Sequence, residues 1–267
     1  MSDGNGESAA EAPVLVERNG AVLRLVLNRV RSGNSLSTAV IGTLQSIFDQ
    51  TADDAGVRVI VISARGNVFC SGHDLREVLA NGTPQFSKHL ATICNRMMQT
   101  IHQLPQPVIA SVQGVATAAG CQLVATCDLA VASRTARFGT PGVNIGTWCS
   151  TPMVAVSRAV HPKHAMQLLL TGRLHDADAA LRMGLVNEVV DPDRLEAATE
   201  SLAHEIAGKS PYAIALGKRA FYKQLELGVS HAYEYASELA ARNATARDSS
   251  EGISAFLEKR PANWVGS

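Results

Sequence analysis

The sequence predicts an α/β fold that ends in a helical region, and three features of the chain support this prediction. Short runs of β-branched residues, such as VRVIVISA at 57–64, have the continuous apolar character of buried strands. Between these runs lie segments with the apolar spacing of helices, which is typical of a sheet with crossover helices. After Thr151 the β-branched runs almost vanish and helical patterns dominate. We therefore divide the chain into a disordered tail (1–13), an α/β core (14–200) and a helical C-terminal region (201–267).

The elements of the core follow in order along the chain. Two β-rich runs around Asn19-Gly20 predict a hairpin over 14–28, because that dipeptide favours a tight hairpin turn. Helical spacing over 37–54 predicts a helix with Ser37 as its N-cap. The later elements are a strand over 57–64, a loop, a helix over 85–104, a strand over 108–112, a helix over 118–126 and a strand over 129–133.

Composition and charge exclude several classes of protein. The formal net charge is zero, which argues against a general nucleic-acid binder or a protein of membrane surfaces. The five cysteines are an odd number without a CxxC pair, which argues against a disulfide framework and a zinc site. No apolar run approaches the length that spans a bilayer. The first basic residue is Arg18, so neither a secretory signal nor an Arg-rich transit peptide fits, and we expect a cytoplasmic protein.

Two loops are the candidate functional segments. FCSGHDLREV (69–78) comes after a predicted strand, and Gly72 within it permits close approach of the backbone to a ligand. GVATAAGCQLVATCD (114–128) follows the next predicted strand, and its small residues leave N–H groups uncovered where a helix starts. Each loop taken alone is more often an ordinary turn or a close helix contact. Together they offer the pair of backbone donors that an enolate or a tetrahedral oxyanion requires.

Further segments in the same order complete a resemblance to a known family. They are NRVRSGNSL (28–36), PVIASVQGVATAAGCQLVATCDLAVAS (107–133), FGTPGVNIG (138–146), LLLTGR (168–173), MGLVNEVV (183–190) and EGISAFLEKRPANW (251–264). With these motifs the chain resembles the enoyl-CoA hydratase/isomerase (crotonase) superfamily from about Val14 to its C terminus. The resemblance implies an α/β crotonase fold, a spiral of stacked ββα units with a helical C-terminal region that drives trimerisation, and trimers that often pair into hexamers. It also implies acyl-CoA thioester substrates, with coenzyme A as part of the substrate and no separate cofactor.

The resemblance assigns roles to individual positions of this sequence. The N–H groups of His73 and Ala119 would form the oxyanion hole, and Gly120 would lie beside the substrate. We interpret the side chain of His73 as a loop residue rather than a catalytic imidazole. The remaining expected contacts with substrate fall on four segments. Arg29 and Arg31 would contact the phosphates of coenzyme A, and Ser71, Asp74 and Leu75 would lie against its adenine and pantetheine parts. Trp148 and Cys149 would line the space for the acyl group, and Phe256 and Lys259 would reach coenzyme A across a subunit contact. For the two arginines a solvated surface position is equally consistent with the sequence, and for Trp148 and Cys149 so is core packing.

The acids of an ordinary hydratase are missing. Hydratases that resemble this chain use two glutamates, and their positions fall on Gln122 and Gly142. The amide of Gln122 does not exchange protons near neutrality, and Gly142 has only a hydrogen atom as its side chain. General acid–base groups contribute a factor of roughly 10²–10⁴ to the reaction rate. No Asp or Glu occurs between Leu129 and His175, and we interpret Asp128 as structural. We therefore expect an oxyanion hole without the usual proton-transfer residues.

Three functions stay open on this basis. The first is an acyl-CoA thioester-processing enzyme, nominally a hydratase or lyase, with weak hydratase activity. The second is an acyl-CoA decarboxylase, because the SGHD and TPGVN loops resemble methylmalonyl-CoA decarboxylase and decarboxylation needs enolate stabilisation with less acid–base help. The tyrosine of that enzyme falls near Cys149, which has different chemistry. The third is a non-catalytic oligomer that binds acyl-CoA.

Overall fold

Ten strands and eleven helices build the described part of the chain, residues 12–267, in this computed structural model. The strands are β1 (Val14–Asn19), β2 (Val22–Leu27), β3 (Val59–Ala64), β4 (Val68–Cys70), β5 (Val108–Val112), β6 (Val115–Thr117), β7 (Leu129–Ser133), β8 (Arg137–Gly139), β9 (His175–Asp176) and β10 (Glu188–Val190). The helices are α1 (Thr38–Thr51), α2 (Leu75–Asn81), α3 (Pro84–Gln103), α4 (Ala119–Thr126), α5 (Ser150–Ala159), α6 (Pro162–Thr171), α7 (Ala177–Met183), α8 (Leu195–Ala207), α9 (Pro211–Gln224), α10 (Val229–Ala244) and α11 (Arg247–Glu258).

The strands form two sheets that are filled alternately along the chain. The larger sheet has the order β1-β2-β3-β5-β7-β10, and the smaller sheet has the order β4-β6-β8-β9. Neighbours in the larger sheet are parallel except in the β1–β2 hairpin. In the pairs β3–β4, β5–β6 and β7–β8 the first strand enters the larger sheet, the second enters the smaller sheet, and helical segments follow. This repetition is a spiral of stacked ββα units, so the predicted fold class is confirmed.

The long elements of the sequence prediction are present near their expected positions. β1 and β2 pair antiparallel across a turn in which Gly20 has a φ of 57°. The oxygen of Ser37 caps α1 by accepting a hydrogen bond from the Val40 N–H at 3.3 Å. The faces of α1 and α3 that point inward carry apolar residues, and these pack with β3 and β5 in one large core. Burial of that apolar surface is the main force that holds the helices to the sheets.

Several three-residue strands were absent from the sequence prediction. The prediction of a loop directly after residue 64 is wrong for Val68–Cys70, because these residues pair in parallel with β6. β10 likewise completes the edge of the larger sheet well after Thr151. A segment of three residues is too short to show a periodicity of its own, and it becomes a strand because a neighbouring strand supplies hydrogen-bond partners.

The predicted division of the chain at residue 200 falls inside α8. Leu195 and Ala203 of this helix pack on residues of the larger sheet that include Val59 and Ile109. The helix therefore belongs to the core on both sides of residue 200, and the end of the core at that residue stays a prediction. The predicted disordered tail lies almost wholly outside the described residues.

The last two helices contribute little to the core. No residue of α10 is buried, and α11 buries only Asp248 and Ala255. The exposed large apolar side chains of this region are Val229, Tyr233, Ile253, Phe256 and Leu257. Among the described helices none has the length and apolar character needed to cross a membrane.

Candidate active site

A cavity of about 550 Å³ opens where the two candidate loops meet the start of α5. Of the predicted site residues, it brings together Ser71, His73, Leu75, Ala119, Gly142, Trp148 and Cys149. Its wall also includes Leu90 and Ala91 of α3, together with Thr147 and Thr151. Two segments that are far apart in sequence therefore form one pocket, as the pairing of the two loops predicted.

A short parallel bridge turns the N–H group of His73 away from Leu36. Leu36 N–H donates to the carbonyl oxygen of Gly72 at 2.8 Å, and Asp74 N–H donates to the carbonyl oxygen of Leu36 at 3.4 Å. This Leu36–His73 bridge uses the backbone groups on both sides of His73. In a parallel pairing the groups of the bridged residue itself point away from the partner, and His73 lines the cavity.

Gly72 is required where the two loops touch. Its φ is 103°, which L-residues with side chains rarely adopt. A Cβ atom at this position would lie 2.9 Å from the Cβ of Ala118 and 3.4 Å from the nitrogen of Ala119. The backbone beside His73 and the first N–H of α4 are therefore immediate neighbours.

The start of α4 is strained and uncapped. Ala118 precedes the helix with φ 50° and ψ −118°, and no side chain caps the helix. Such a conformation is costly for a residue with a Cβ and is found mainly at functional sites. The first N–H groups of a helix have no acceptor within it and carry the positive end of its dipole. The Ala119 N–H therefore has no acceptor within α4, and both Ala119 and His73 line the cavity.

Gln122 lies behind the cavity wall and is hydrogen-bonded to Thr151 of that wall. The residue is only 3% exposed, and its Oε1 accepts a hydrogen bond from the hydroxyl of Thr151 at 3.2 Å. Thr151 itself lines the cavity. The sequence analysis missed Thr151, because a threonine after WCS carries no local signal of its role.

Gly142 has no room for the side chain that a hydratase would need there. A Cβ atom would lie 2.9 Å from Cys149 Sγ and 2.9 Å from the carbonyl oxygen of Thr147. The segment that contains these two residues therefore fills the space next to Gly142. Burial raises the pKa of the Cys149 thiol above its ordinary value. A hydrogen bond from the Gly142 N–H lowers this pKa in part. The thiol is therefore protonated near neutrality and is a poor nucleophile.

The imidazole of His73 lies in the wall without a hydrogen-bond partner. Its Nε2 is buried and unpaired among the described residues. Burial lowers the pKa of His73 below its ordinary value, although the negative charge of Glu77 acts in the opposite direction. Glu77 itself accepts hydrogen bonds from the N–H and the hydroxyl of Thr38. A neutral imidazole is the expected state near neutral pH.

Arg29 and Asp74 bind one another at the rim. Their side chains are 3.1 Å apart (Arg29 Nη2 to Asp74 Oδ2), and Arg29 Nη1 also donates to the carbonyl oxygen of Ser35 at 3.3 Å. Burial alone would raise the pKa of Asp74, but hydrogen bonds from Arg29 and from the N–H of Arg76 hold it below its ordinary value. The charge of Arg29 is therefore already paired, whereas Arg31 is exposed. The phosphate contacts of both arginines stay predictions.

Besides Arg29, Arg31 and Asp74, three further predicted substrate contacts lie away from the cavity wall. A Cβ atom on Gly120 would be 2.1 Å from the carbonyl oxygen of Cys70, so this glycine serves the packing of α4 on β4. Phe256 is 83% exposed, and Lys259 is the exposed C-cap of α11. Within one chain neither Phe256 nor Lys259 lines the cavity. Trp148, by contrast, is 40% exposed at the cavity, which argues against simple core packing.

Asp128 is held by structural contacts and lies outside this cavity. Its carboxylate accepts from the Val108 N–H at 2.7 Å, the Lys218 ammonium at 2.6 Å and the Tyr222 hydroxyl at 2.8 Å. It lines a different cavity of about 740 Å³, in which Tyr222 stacks on His102 with ring centroids 3.9 Å apart. The contacts support the structural interpretation of Asp128, because they join α9 to the end of α4 and leave no catalytic role at the first cavity.

Comparisons with known proteins agree with this geometry. The family model described as enoyl-CoA hydratase/isomerase matches residues 17–267. The chain is 44% identical over 254 residues to enoyl-CoA hydratase domain-containing protein 3, mitochondrial, of Xenopus laevis, covering 95% of this chain and 86% of that protein. It is 43% identical over 252 residues to the Homo sapiens protein of the same name, covering 94% and 83%. A crystal structure of an enoyl-CoA hydratase from Mycobacterium smegmatis matches with a TM-score of 0.93 at 45% identity, covering 95% of this chain and 99% of that one.

The same relatives correct one prediction. We expected a cytoplasmic protein, but the similar proteins from Xenopus laevis, Danio rerio, Rattus norvegicus and Homo sapiens are all named mitochondrial. The prediction of a cytoplasmic location is therefore wrong. It depended on the composition of the first residues, and that composition does not determine the compartment.

The fold also matches the crystal structure of human enoyl-CoA hydratase domain-containing protein 3, with a TM-score of 0.92 at 43% identity over 95% of this chain and 100% of that one. The family model, the relatives and the solved structures thus agree with the spiral of ββα units and its cavity: the chain belongs to the enoyl-CoA hydratase/isomerase family and has the crotonase fold.

Proposed function

We propose that this protein acts on acyl-CoA thioesters by stabilising an oxyanion or enolate with the N–H groups of His73 and Ala119. The observation that supports the proposal is the contact between the two loops, in which Gly72 lies against the backbone of Ala118 and Ala119, together with the presence of both His73 and Ala119 in the wall of one cavity. Donors fixed in advance stabilise developing negative charge without reorganisation, and each is worth about 3–4 kcal/mol in a transition state.

Ordinary hydration is not the main reaction in this proposal. Water addition to a conjugated thioester requires one group that removes a proton from water and one that delivers a proton to carbon. Gln122 has no suitable pKa, and the space beside Gly142 is filled. Among residues 12–267, no Asp or Glu lines the cavity. We expect crotonyl-CoA hydration to be at least about 100-fold slower than in a hydratase with both acids.

Decarboxylation is the second candidate, and the neutral wall favours it. When an acyl-CoA has a carboxylate on the carbon next to the thioester carbonyl, loss of carbon dioxide breaks a C–C bond. The electron pair of that bond then forms the enolate. The reaction then needs the oxyanion hole and only a late proton donor. A wall without acidic side chains among the described residues would not repel such a substrate. If the protein turns over no thioester, the third function, a non-catalytic oligomer that binds acyl-CoA, is the one that the result supports.

The coenzyme A portion would lie along the rim. Ser71 and Leu75 line the cavity mouth, and the Arg29–Asp74 pair stands beside them. Phe256 and Lys259 would reach the ligand only from a neighbouring protomer, since they do not line the cavity of their own chain. The exposed apolar side chains of α10 and α11 favour such an assembly, which we propose to be a trimer or a pair of trimers.

One experiment tests the reaction. The protein is incubated with a panel of acyl-CoA thioesters, and mass spectrometry detects hydration, isomerisation, hydrolysis and decarboxylation together. Fast hydration of crotonyl-CoA, at the rate of an ordinary hydratase, would contradict the proposal.

A second experiment tests the oxyanion hole directly. Calorimetry compares acetyl-CoA with a coenzyme A analogue that mimics an enolate. We expect tighter binding of the analogue, and loss of that preference in Ala119→Pro, which lacks the N–H donor. Circular dichroism and binding of free coenzyme A show whether the variant retains its fold. Equal affinities in the unmodified protein would mean that the donors do not act on the thioester oxygen.

A further inference from the structure

Helix α4 carries the Ala119 N–H at its amino end, and a residue of another helix binds its carboxyl end. The Nε2 atom of His102, in the last turn of α3, lies 3.1 Å from the carbonyl oxygen of Thr126. A carbonyl oxygen only accepts, so Nε2 carries the proton and donates it. Thr126 is the last residue of α4 and is only 2% exposed. The last carbonyl groups of a helix have no donor within it, and His102 supplies the donor that this buried carbonyl needs.

The ring of His102 is itself held in place. It stacks on the ring of Tyr222 of α9, with centroids 3.9 Å apart and an angle of 14° between the planes. The Tyr222 hydroxyl in turn donates to Asp128 at 2.8 Å, two residues beyond the end of α4. Burial lowers the pKa of His102 below its ordinary value, although the negative charge of Asp128 acts in the opposite direction. The imidazole is therefore fixed on one face by Tyr222 and at one edge by Thr126.

The two ends of α4 are coupled because the helix is short. Its eight residues span about 12 Å. The Thr126 hydroxyl also donates to the carbonyl oxygen of Gln122 at 2.8 Å, which joins the last turn to the turn before it. A displacement of the carboxyl end along the helix axis therefore reaches the amino end. There Ala118 has the strained φ of 50°, and such a conformation persists only where the surrounding structure holds it.

We infer that His102 is a positioning residue for the Ala119 N–H donor. This inference rests on the proposed function, because it assumes that this N–H acts on a thioester oxygen. Without His102, the buried Thr126 carbonyl loses its donor, and an unpaired buried acceptor is costly. The carboxyl end of α4 then moves to reach another donor or water, and Ala118 relaxes. Groups of an active site act well only when held within about 0.5 Å of their productive positions, so a small displacement weakens the donor.

The test separates the hydrogen bond of His102 from its ring. His102→Phe keeps an aromatic ring against Tyr222 but has no donor, whereas the amide of His102→Gln can still donate to the Thr126 carbonyl. Isothermal titration calorimetry on the full-length protein compares a coenzyme A analogue that mimics an enolate with acetyl-CoA. We expect the ratio of the two affinities to fall roughly tenfold in His102→Phe, part of the roughly 10²–10³-fold effect of removing a whole donor. In His102→Gln the ratio should keep most of its value.

A matched control and a third ligand exclude a general loss of structure. His204 of α8 is exposed, and its Nδ1 also lies 2.8 Å from a backbone carbonyl oxygen, that of Glu200. His204→Phe should leave the ratio unchanged. Free coenzyme A should bind every variant with the same affinity, because it has no thioester oxygen. A purely structural role of His102 would instead weaken the binding of all three ligands in proportion.

The outcomes separate this inference from the proposed function. An unchanged ratio in His102→Phe overturns the positioning role but leaves the oxyanion hole in place, and so does an equal loss in His102→Phe and His102→Gln. A fall of the ratio in His204→Phe overturns it as well, since the effect would then not depend on α4. Equal affinities for the two thioester ligands in the unmodified protein would overturn the proposed function itself. If His102→Phe does not fold, His102→Leu takes its place, because leucine also lacks a donor and is smaller.

Discussion

In the proposed function, Gln122 and Gly142 together determine which proton transfers the cavity supports. The amide of Gln122 is held by the Thr151 hydroxyl, and an amide neither gives nor takes a proton near neutrality. Gly142 is surrounded by Thr147 and Cys149, so the space that a second acid would need is filled by the chain. The two positions are not equivalent, because glutamate has the size of glutamine whereas no side chain replaces glycine without a rearrangement.

This asymmetry predicts that Gln122→Glu does not produce an efficient hydratase. The variant gains one carboxylate but still lacks its partner at Gly142. It should therefore stay slower than a two-acid hydratase by about the 10²–10⁴ that one general acid–base group contributes. Loss of the ultraviolet absorbance of crotonyl-CoA measures the rate. Hydration by the variant at the rate of an ordinary hydratase would show that another group supplies the missing acid.

Gly142→Ala should destabilise the protein even though it adds a single methyl group. That methyl would lie 2.9 Å from both Cys149 Sγ and the Thr147 carbonyl oxygen. Overpacking of this kind typically costs about 1–3 kcal/mol. Gly42→Ala is the matched control, because Gly42 is in α1 and a Cβ there meets nothing within 4 Å. The control should gain roughly 0.4–1 kcal/mol. Denaturant unfolding measures both, and equal stability changes would contradict the packing argument.

At the scale of elements, periodicity predicted the long segments and failed for the short ones. The hairpin at Asn19-Gly20 and the cap at Ser37 are local features, so the sequence contains what is needed to find them. β4 exists because β6 pairs with it, and that pairing depends on the whole spiral. The site divides in the same way. Gly72 and Ala119 follow from motifs, whereas the Thr151 contact to Gln122 is formed by residues that are distant in sequence and is visible only in the fold.

The contact between Lys218 of α9 and Asp128, in the link between α4 and β7, predicts a large effect of Lys218→Met. The Lys218 and Asp128 side chains are only 6% and 14% exposed, and their charged atoms are 2.6 Å apart. Removal of the lysine leaves a largely buried carboxylate without its counter-charge, which should cost about 3–5 kcal/mol.

Lys209→Met is the matched control for this variant. Lys209 pairs with Glu205 at 4.0 Å on the surface, and such a pair contributes about 0–1 kcal/mol. Thermal and denaturant unfolding compare the two variants with the unmodified protein. Equal stabilities of the two variants would show that the Lys218–Asp128 pair does not join α9 to the core.

The molecule as a whole leaves a large apolar surface on its last two helices. Ile253 and Leu257 are one helical turn apart on α11 and are both exposed, and no residue of α10 is buried. Large exposed apolar patches on soluble proteins mark interaction sites, and the exposed side chains of these helices favour such a site here. Phe256 lies on the same helix and Lys259 is its C-cap, so an assembly through α11 would also bring the two predicted coenzyme A contacts near a neighbouring protomer.

Assembly through this surface should therefore be lost when α11 is made polar. We expect a trimer, or a multiple of it, by light scattering at micromolar concentration in the unmodified protein. The double variant Ile253→Ser with Leu257→Ser should shift the population to monomers. Burial of one such side chain stabilises an interface by about 1.5–3 kcal/mol, and every protomer of the assembly contributes both side chains. Val16→Ser on β1 removes an apolar side chain that is also exposed and should leave the assembly unchanged. A monomeric unmodified protein would contradict the proposed assembly. A trimer that persists in the double variant would place the interface elsewhere, and the exposed side chains of α11 would then need another explanation.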